Sequence, residues 1–389
     1  MTMHLTQVPD RSRSVFVSAL FCLLAVNDIS QAASPEQTGT CRQTDVFTAG
    51  TDGYHTYRIP AITVTKKGTL LAFCEGRKKG SGDSGDIDLV LKRSADGGVT
   101  WSRQQIVWDD QQNTCGNPCP IVDQQTGTIW LLLTWNRGDD HEPQIIARTS
   151  KDTRRVYVTS SEDDGLTWAA PKEITSDTKK PDWTWYATGP CNGIQLTRGP
   201  HKDRLVAPCD HITAEGKRFY SHVIYSDDHG RTWKLGGVSP RDKLNESTVV
   251  ELADGALMLN MRNYDGKKTR GVCLSRDGGS TWNGFYNDAA LVEPVCQASI
   301  LRWRWPEGGA KGLIAFSNPA SQRREKMTVR LSDDEGRTWR VANLLHADPA
   351  AYSCLVALPD GSLGCLYEAG QKHPYEKIVF ARMTQKWFE

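Results

Sequence analysis

Apolar and polar side chains alternate along much of this chain in short runs. The segments "IDLVLKRS" (87–94), "RRVYVTSS" (154–161), "FYSHVIYS" (219–226), "TRGVCLS" (269–275) and "MTVRLS" (327–332) are rich in Val, Ile and Tyr. A two-residue period places apolar groups on one face of an extended backbone, so these runs predict half-buried β-strands. No long stretch carries a helical period bounded by caps.

Each of the five strands leads into the same turn. "SADGGVTW" begins at Ser94, "SEDDGLTW" at Ser161, "SDDHGRTW" at Ser226, "SRDGGSTW" at Ser275 and "SDDEGRTW" at Ser332. The Asp carboxylate of such a turn accepts local backbone N–H groups, and Gly supplies a positive φ without a Cβ clash. Ser and Thr hydroxyls add local hydrogen bonds. The closing Trp is expected to pack the turn onto its unit. This is a structural latch and carries no catalysis.

The turns recur at a mean interval of 59.5 residues, which marks an array of like supersecondary units. Four strands of ordinary length use about 20–25 residues, leaving generous loops on each unit. Six such periods fill the roughly 357 residues that follow the N-terminal leader described below. The expected fold is all-β: a six-bladed β-propeller with four-stranded antiparallel blades and Asp-box turns. Five latches for six blades imply that one unit lacks its copy. One domain, 34–389, is expected, with no linker.

Residues 1–33 read differently. Arg11 and Arg13 precede the apolar run "VFVSALFCLLAV" (15–26), which exits into small residues at "SQAAS". That is the pattern of a secretory signal peptide, with cleavage expected near Ala32 or Ala33. The run is too short to span a bilayer comfortably, so no membrane span is expected. The expected location is secreted or periplasmic. Lys and Arg number 47 against 46 Asp and Glu, and this balance argues against nucleic acid as a partner. Ten Cys beyond the leader permit disulfides of undetermined pairing. Cys115 and Cys119 in "CGNPC" resemble half a zinc site, but no second ligand pair accompanies them. No metal and no cofactor are called for.

Three arginines stand in distinctive settings: Arg58 in "YRIPAI", Arg262 in "LNMRNY" and Arg324 in "SNPASQRREKMTVRL". Each alone has a plain reading as a surface ion pair. Converging, they make a fork for a planar carboxylate. "YRIP", the five Asp boxes and "LNESTVVELADGALMLNMRNY", in that order, resemble the exo-α-sialidases (neuraminidases) of the bacterial and animal type. The similarity runs from about 45 to 380, and the six-bladed propeller of that family agrees with the period.

The resemblance implies a carboxylate-binding triad of Arg58, Arg262 and Arg324, with Arg323 as the neighbour of the third. It implies Arg77 near the sugar hydroxyls and Asp83 as acid/base, both in "FCEGRKKGSGDSGDIDLV", where Asp86 and Asp88 lie close by. It further implies Tyr352 in "AYSCL" as nucleophile, Glu246 in "LNEST" as its base, and Glu368 in "CLYEAG" as the acid that braces Arg58. Tyr367 is the rival tyrosine, in an apolar strand. Trp185 and Tyr186 are expected in the site wall. The implied substrates are sialylated glycans, cleaved with retention through a tyrosyl-sialyl intermediate. The same residues would serve a trans-sialidase or intramolecular trans-sialidase. A non-catalytic sialic-acid-binding propeller would have lost one of them. A neutral phenol suits attack beside a carboxylate better than a second carboxylate does, and neighbouring Arg charges are expected to favour its phenolate.

Overall fold

The computed structural model describes residues 41–389, and the leader expected over 1–33 lies outside the described residues. Six antiparallel blades follow one another. Blade one is β2 (Thr56–Val64), β3 (Leu70–Arg77), β4 (Ile87–Ser94) and β5 (Gln105–Trp108), preceded in the chain by β1 (Cys41–Thr48). Blade two is β6 (Thr114–Val122), β7 (Ile129–Asn136), β8 (Arg155–Ser161) and β9 (Lys172–Glu173), with α1 (Glu142–Ala147) in its β7–β8 loop. After α2 (Thr175–Thr178), blade three contains β10 (Trp183–Thr188), β11 (Ile194–Gln195), β12 (Leu205–Thr213), β13 (Phe219–Ser226) and β14 (Lys234–Val238). Blade four is β15 (Leu244–Glu251), β16 (Leu257–Asn263), β17 (Thr269–Ser275) and β18 (Asn283–Val292). Blade five is β19 (Ser299–Arg304), β20 (Leu313–Pro319), β21 (Glu325–Ser332) and the first half of the long β22 (Val341–Ala357). Blade six takes the second half of β22, β23 (Leu363–Ala369), β24 (Lys377–Met383) and, as its outer strand, β1. The two ends of the described chain thus share one blade.

The ring closes through the inner strands. β2 packs on β6, β6 on β10, β12 on β15, β15 on β19, β19 on β22, and β22 on β2. Inner strands such as β2 and β6 are buried along nearly their whole length, whereas the outer β9 and β18 are largely exposed and β5 is half-buried. That gradient explains the sequence pattern. Alternation is clean only where one face of a strand meets solvent, and a strand buried on both faces reads as a continuous apolar run.

All five Asp boxes join the third strand of a blade to its fourth, in blades one to five. In the fourth, Ser275 Oγ donates to Asp277 Oδ1 (2.7 Å), and Gly279 N donates to Ser275 Oγ (2.8 Å). Thr281 donates to the same carboxylate through N (2.9 Å) and Oγ1 (2.6 Å). Asp96, Asp163, Asp228 and Asp334 repeat the pattern. Among the described residues blade six has no copy; β24 is followed by a short 3-10 turn, Gln385–Phe388. The closing aromatics reach beyond their own unit. Trp101 meets Phe380 of blade six edge-on at 5.4 Å, and Trp168 meets Phe73 of blade one at 5.6 Å. The glycine is needed twice over: Gly98 has φ +87°, and a Cβ there would lie 2.1 Å from the Phe380 ring. The latch therefore staples each blade to the one before it.

Candidate active site

All six inner strands break register, β19 at Arg302/Arg304 and the other five beside one cavity. Those five shifts fall at Arg58/Ala61 on β2, Gly116/Cys119 on β6, Trp183/Tyr186 on β10, Leu244/Ser247 on β15 and Ala350/Ser353 on β22. A bulge re-aims side chains that a regular strand would bury. Here the displaced or flanking residues are Arg58, Asn117, Trp185, Glu246 and Tyr352. All five line one cavity of about 350 Å³, with Arg77, Asp83, Arg262 and Arg324 also in its wall.

Tyr352 sits at the centre of the polar contacts. Its hydroxyl donates to Glu246 Oε1. Arg262 Nη1 donates both to that hydroxyl (3.1 Å) and to Glu246 Oε2 (2.6 Å). The Arg58 and Arg324 guanidinium carbons lie 5.1 and 5.6 Å from the Tyr352 ring centroid. The three arginines therefore surround a single phenol. Arg324 Nη1 also donates to Tyr375 Oη (2.5 Å), and Arg58 lies 3.8 Å over the Tyr375 ring. Arg262 Nε is buried with no hydrogen-bond partner among the described residues.

Glu368, fully buried behind the cavity, organises this end. Its Oε1 accepts from Arg58 Nε and Ile59 N, both at 2.9 Å, and its Oε2 accepts from Tyr352 N at 3.1 Å and Arg58 Nη2 at 3.5 Å. Ile59 has φ +60°, a strained value for a β-branched residue. One carboxylate thus holds two bulges and a guanidinium in place.

At the other rim Arg77 Nη1 pairs with Asp83 at 2.8 Å, while Glu75 accepts from Arg77 Nη2 (2.6 Å) and Nε (3.0 Å). Asp83 is 62% exposed and 3.8 Å from Arg58 Nη1. Burial pushes its pKa up, but the Arg77 and Arg58 guanidiniums outweigh this and hold the carboxyl below the usual range. The Tyr352 phenol moves the other way. Burial, followed by the Glu246 charge, drives its pKa well up, and Arg262 and Arg58 only partly oppose them. The arginines do favour the phenolate, as the sequence suggested, but they do not prevail, so the resting group is a neutral phenol bonded to a base.

The neighbours that competed in the sequence lie elsewhere. Asp88 is buried against Tyr54 Oη (2.5 Å) and Lys78 Nζ (3.0 Å), and Asp86 also pairs with Lys78 (3.0 Å). Arg323 is exposed and 3.7 Å from Glu325. Tyr367 is packed in blade six, with its hydroxyl on Gln43 (2.8 Å). The expected wall pair is corrected by half. Trp185 lines the cavity, but Tyr186 points away, fully buried, with its hydroxyl near His222 Nε2 (3.0 Å). Adjacent strand residues face opposite ways, so only one of the two could enter the site.

Sequence reasoning missed several residues of the wall, including Glu75, Glu142, Arg154, Asp210 and Tyr375. Arg154 is buried against Tyr186 O (2.8 Å), Asn136 and Asn117, with Trp185 4.0 Å from its guanidinium. Burial lowers its pKa to about 10. Glu75 was accessible to period-two reasoning, because it shares a strand face with Arg77. Among the described residues no group of three or more His, Cys, Asp or Glu is arranged to hold a metal ion, and the ten described cysteines are free thiols.

Residues 68–365 match the BNR repeat-like domain family. The chain is 38% identical to a sialidase of Micromonospora viridifaciens over 87% of its own length, and spans 53% of that protein. It is 32% identical to an exo-alpha-sialidase of Aspergillus fumigatus, covering 93% of this chain and 94% of that protein. The chain thus spans about half of the first relative and nearly all of the second. Among solved structures, the Hadza microbial sialidase Hz136 superposes with a TM-score of 0.79 at 31% identity, over 89% of this chain and 69% of that one.

Proposed function

The chain belongs to the Asp-box (BNR-repeat) sialidase family, and from that premise we propose that it is a retaining exo-α-sialidase acting on terminal α-linked sialic acid of glycoconjugates. One observation carries the reading: three guanidiniums surround a phenol whose hydroxyl is already bonded to a carboxylate base. Arg58, Arg262 and Arg324 grip the sugar carboxylate, which fixes the anomeric carbon above Tyr352. The phenolic oxygen attacks that carbon as Glu246 takes its proton, and the bond to the aglycone breaks. Asp83 protonates the departing oxygen.

Asp83 is ionised in the free protein. It gains its proton when the aglycone shields it from water and the bound carboxylate offsets the charge of Arg58. In the second half-reaction the ionised Asp83 accepts a proton from water as that water attacks the anomeric carbon. Tyr352 leaves as phenolate and recovers its proton from Glu246. Two displacements give retention. The leader is read as a secretory signal that delivers the enzyme outside the cytoplasm.

The test is hydrolysis of an aryl α-sialoside, followed by NMR for the first-formed anomer and by mass spectrometry after inactivation with a 2,3-difluoro sialic acid. An α-anomer first and a label on Tyr352 are expected. A β-anomer first, or wild-type turnover by Tyr352→Phe, would remove the tyrosyl intermediate. A bicyclic anhydro product in place of free sialic acid would move the chain to the intramolecular trans-sialidases.

A further inference from the structure

Two thiols meet where the inner strands converge, and neither takes part in the chemistry above. Cys191, in the β10–β11 segment of blade three, and Cys354, on the blade-six half of β22, are fully buried, and their sulfurs lie 3.4 Å apart. Neither lines the catalytic cavity. Blades three and six are not neighbours in the ring, so the contact spans the central channel. Cys191 Sγ is also 3.2 Å from Ser299 Oγ of blade five and 4.0 Å from Thr248 Oγ1 of blade four. Cys354 Sγ accepts from Ile62 N of blade one at 3.4 Å. Among the ten described cysteines this is the one sulfur–sulfur hydrogen bond.

The surroundings suit a covalent bond. A disulfide needs side chains that point at each other, and two sulfurs already in contact meet that condition after small rotations. Losing the two S–H donors strands neither hydroxyl beside them. Ser299 Oγ still accepts from Leu355 N (3.0 Å), and Thr248 Oγ1 from Ile300 N (3.2 Å). We propose that Cys191 and Cys354 are a covalent modification site, oxidised to a disulfide that staples blade three to blade six across the channel.

The oxidant is itself a disulfide, either a small one such as oxidised glutathione or that of a protein oxidoreductase. The thiolate of one cysteine attacks a sulfur of the oxidant and expels one thiolate. The second cysteine, losing its proton, attacks the protein sulfur of the mixed disulfide and expels the other. Each step breaks one S–S bond and makes one; the oxidant takes up both electrons, and the two protons end on its two thiols. Both cysteines are sealed in the finished ring, so the exchange belongs to folding, before the last blade closes. Export by the leader, as read above, would bring the folding chain to a compartment where such oxidants act.

The bridge would join residues 163 apart, and a loop of that length removes much conformational freedom from the unfolded chain. Its end on β22 is two residues from Tyr352. Between them, Ser353 N donates to Gln297 Oε1 (2.9 Å), whose Nε2 donates to Pro190 O (2.9 Å), just before Cys191. The staple therefore reinforces a polar link that already ties the strand of Tyr352 to blade three.

The full chain is refolded from urea in reduced and oxidised glutathione and, in parallel, in a phosphine reductant; a third sample is exported to the periplasm of a bacterial host. Free thiols are trapped with N-ethylmaleimide in urea. The unreduced protein is then digested with trypsin and with Asp-N, which cuts before Asp360 and so separates Cys354 from Cys365. A peptide pair joined through Cys191 and Cys354 is expected from the glutathione and exported samples and not from the phosphine sample. The bridged protein should melt about 5 °C above the reduced protein, and in Cys191→Ser the two preparations should melt together. Maleimide on both Cys191 and Cys354 in folded protein from the oxidising samples overturns the proposal. So does a bridge from either to another cysteine, or a bridge that leaves the midpoint unmoved. Should Cys191→Ser not fold, the wild-type map and midpoints still decide; should refolding fail, the exported protein, mapped as isolated and melted with and without the phosphine, decides alone. None of these readouts depends on turnover of a sialoside.

Discussion

Glu368→Gln is the most informative single change, because one side chain holds three parts of the site. In the wild type Oε1 accepts from Arg58 Nε and Ile59 N, and Oε2 from Tyr352 N and Arg58 Nη2. Glutamine has the same shape but only one acceptor oxygen. Whichever way the amide turns, its NH₂ faces one of these pairs of N–H groups, so two bonds are lost and two donors face a donor. The Arg58 guanidinium, 5% exposed, also loses its buried counter-charge. Breaking a buried ion pair by removing one partner costs about 3–5 kcal/mol. Urea unfolding followed by tryptophan fluorescence should record a loss of that size. KM for an aryl sialoside should rise at least tenfold, because Arg58 no longer holds its aim. A stability loss below about 1 kcal/mol, with KM unchanged, would refute the argument that this carboxylate fixes the site.

Asp83→Ala should lower kcat/KM by about 10²–10³ on a sialoside with a sugar leaving group, and far less on an aryl sialoside, whose leaving group needs little protonation; equal effects on both would remove Asp83 as the acid. Gly98→Ala should destabilise by about 3 kcal/mol or more, since φ is +87° and the new methyl would strike Phe380. Gly53→Ala, at φ +88° with open space around it, should cost only about 1 kcal/mol; equal losses would deny the inter-blade contact. His211 and His222 are buried together, Nδ1 to Nδ1 at 3.1 Å, and burial lowers the first to about 3 and the second well below its ordinary value. Both stay neutral in the fold, so their stability contribution is complete above the unfolded pKa of ~6.5 and is lost as pH falls through it. The pair should cost about 4 kcal/mol between pH 7 and pH 5, read as a lower urea midpoint; a flat midpoint would show that the rings are already charged at pH 5.

The blades were legible in the sequence because their code is local. An Asp box is a set of hydrogen bonds between residues two to four apart, written out five times, and the strand before each box alternates because one of its faces is wet. The bulges were not legible. A register shift at Leu244/Ser247 or Ala350/Ser353 depends on the partner strand, and nothing in "LNEST" or "AYSCL" announces it. Only family resemblance could single out Glu246 and Tyr352, and only the fold puts one against the other. Arg154 and Asp210 fell outside the resemblance used and sit in strands that read as ordinary packing. Their places in the wall come from what surrounds them, an arginine held by two asparagines and a carboxyl whose Oδ2 has no hydrogen-bond partner among the described residues.

The same limit explains the charge state of Tyr352. Three arginines in a sequence argue for phenolate, because a count of positive charges is visible there and burial is not. In the fold the ring is 5% exposed, and Glu246 shares the hydroxyl with Arg262. Desolvation penalises the phenolate before the arginines can favour it. The neutral state is the useful one for the proposed chemistry. A resting phenolate would repel an incoming carboxylate, whereas a neutral phenol bonded to Glu246 develops negative charge only as it attacks, when Arg262, already within hydrogen-bond distance, can stabilise it. In the proposed mechanism the arginines therefore act on the transition state and on the departing phenolate more than on the resting nucleophile.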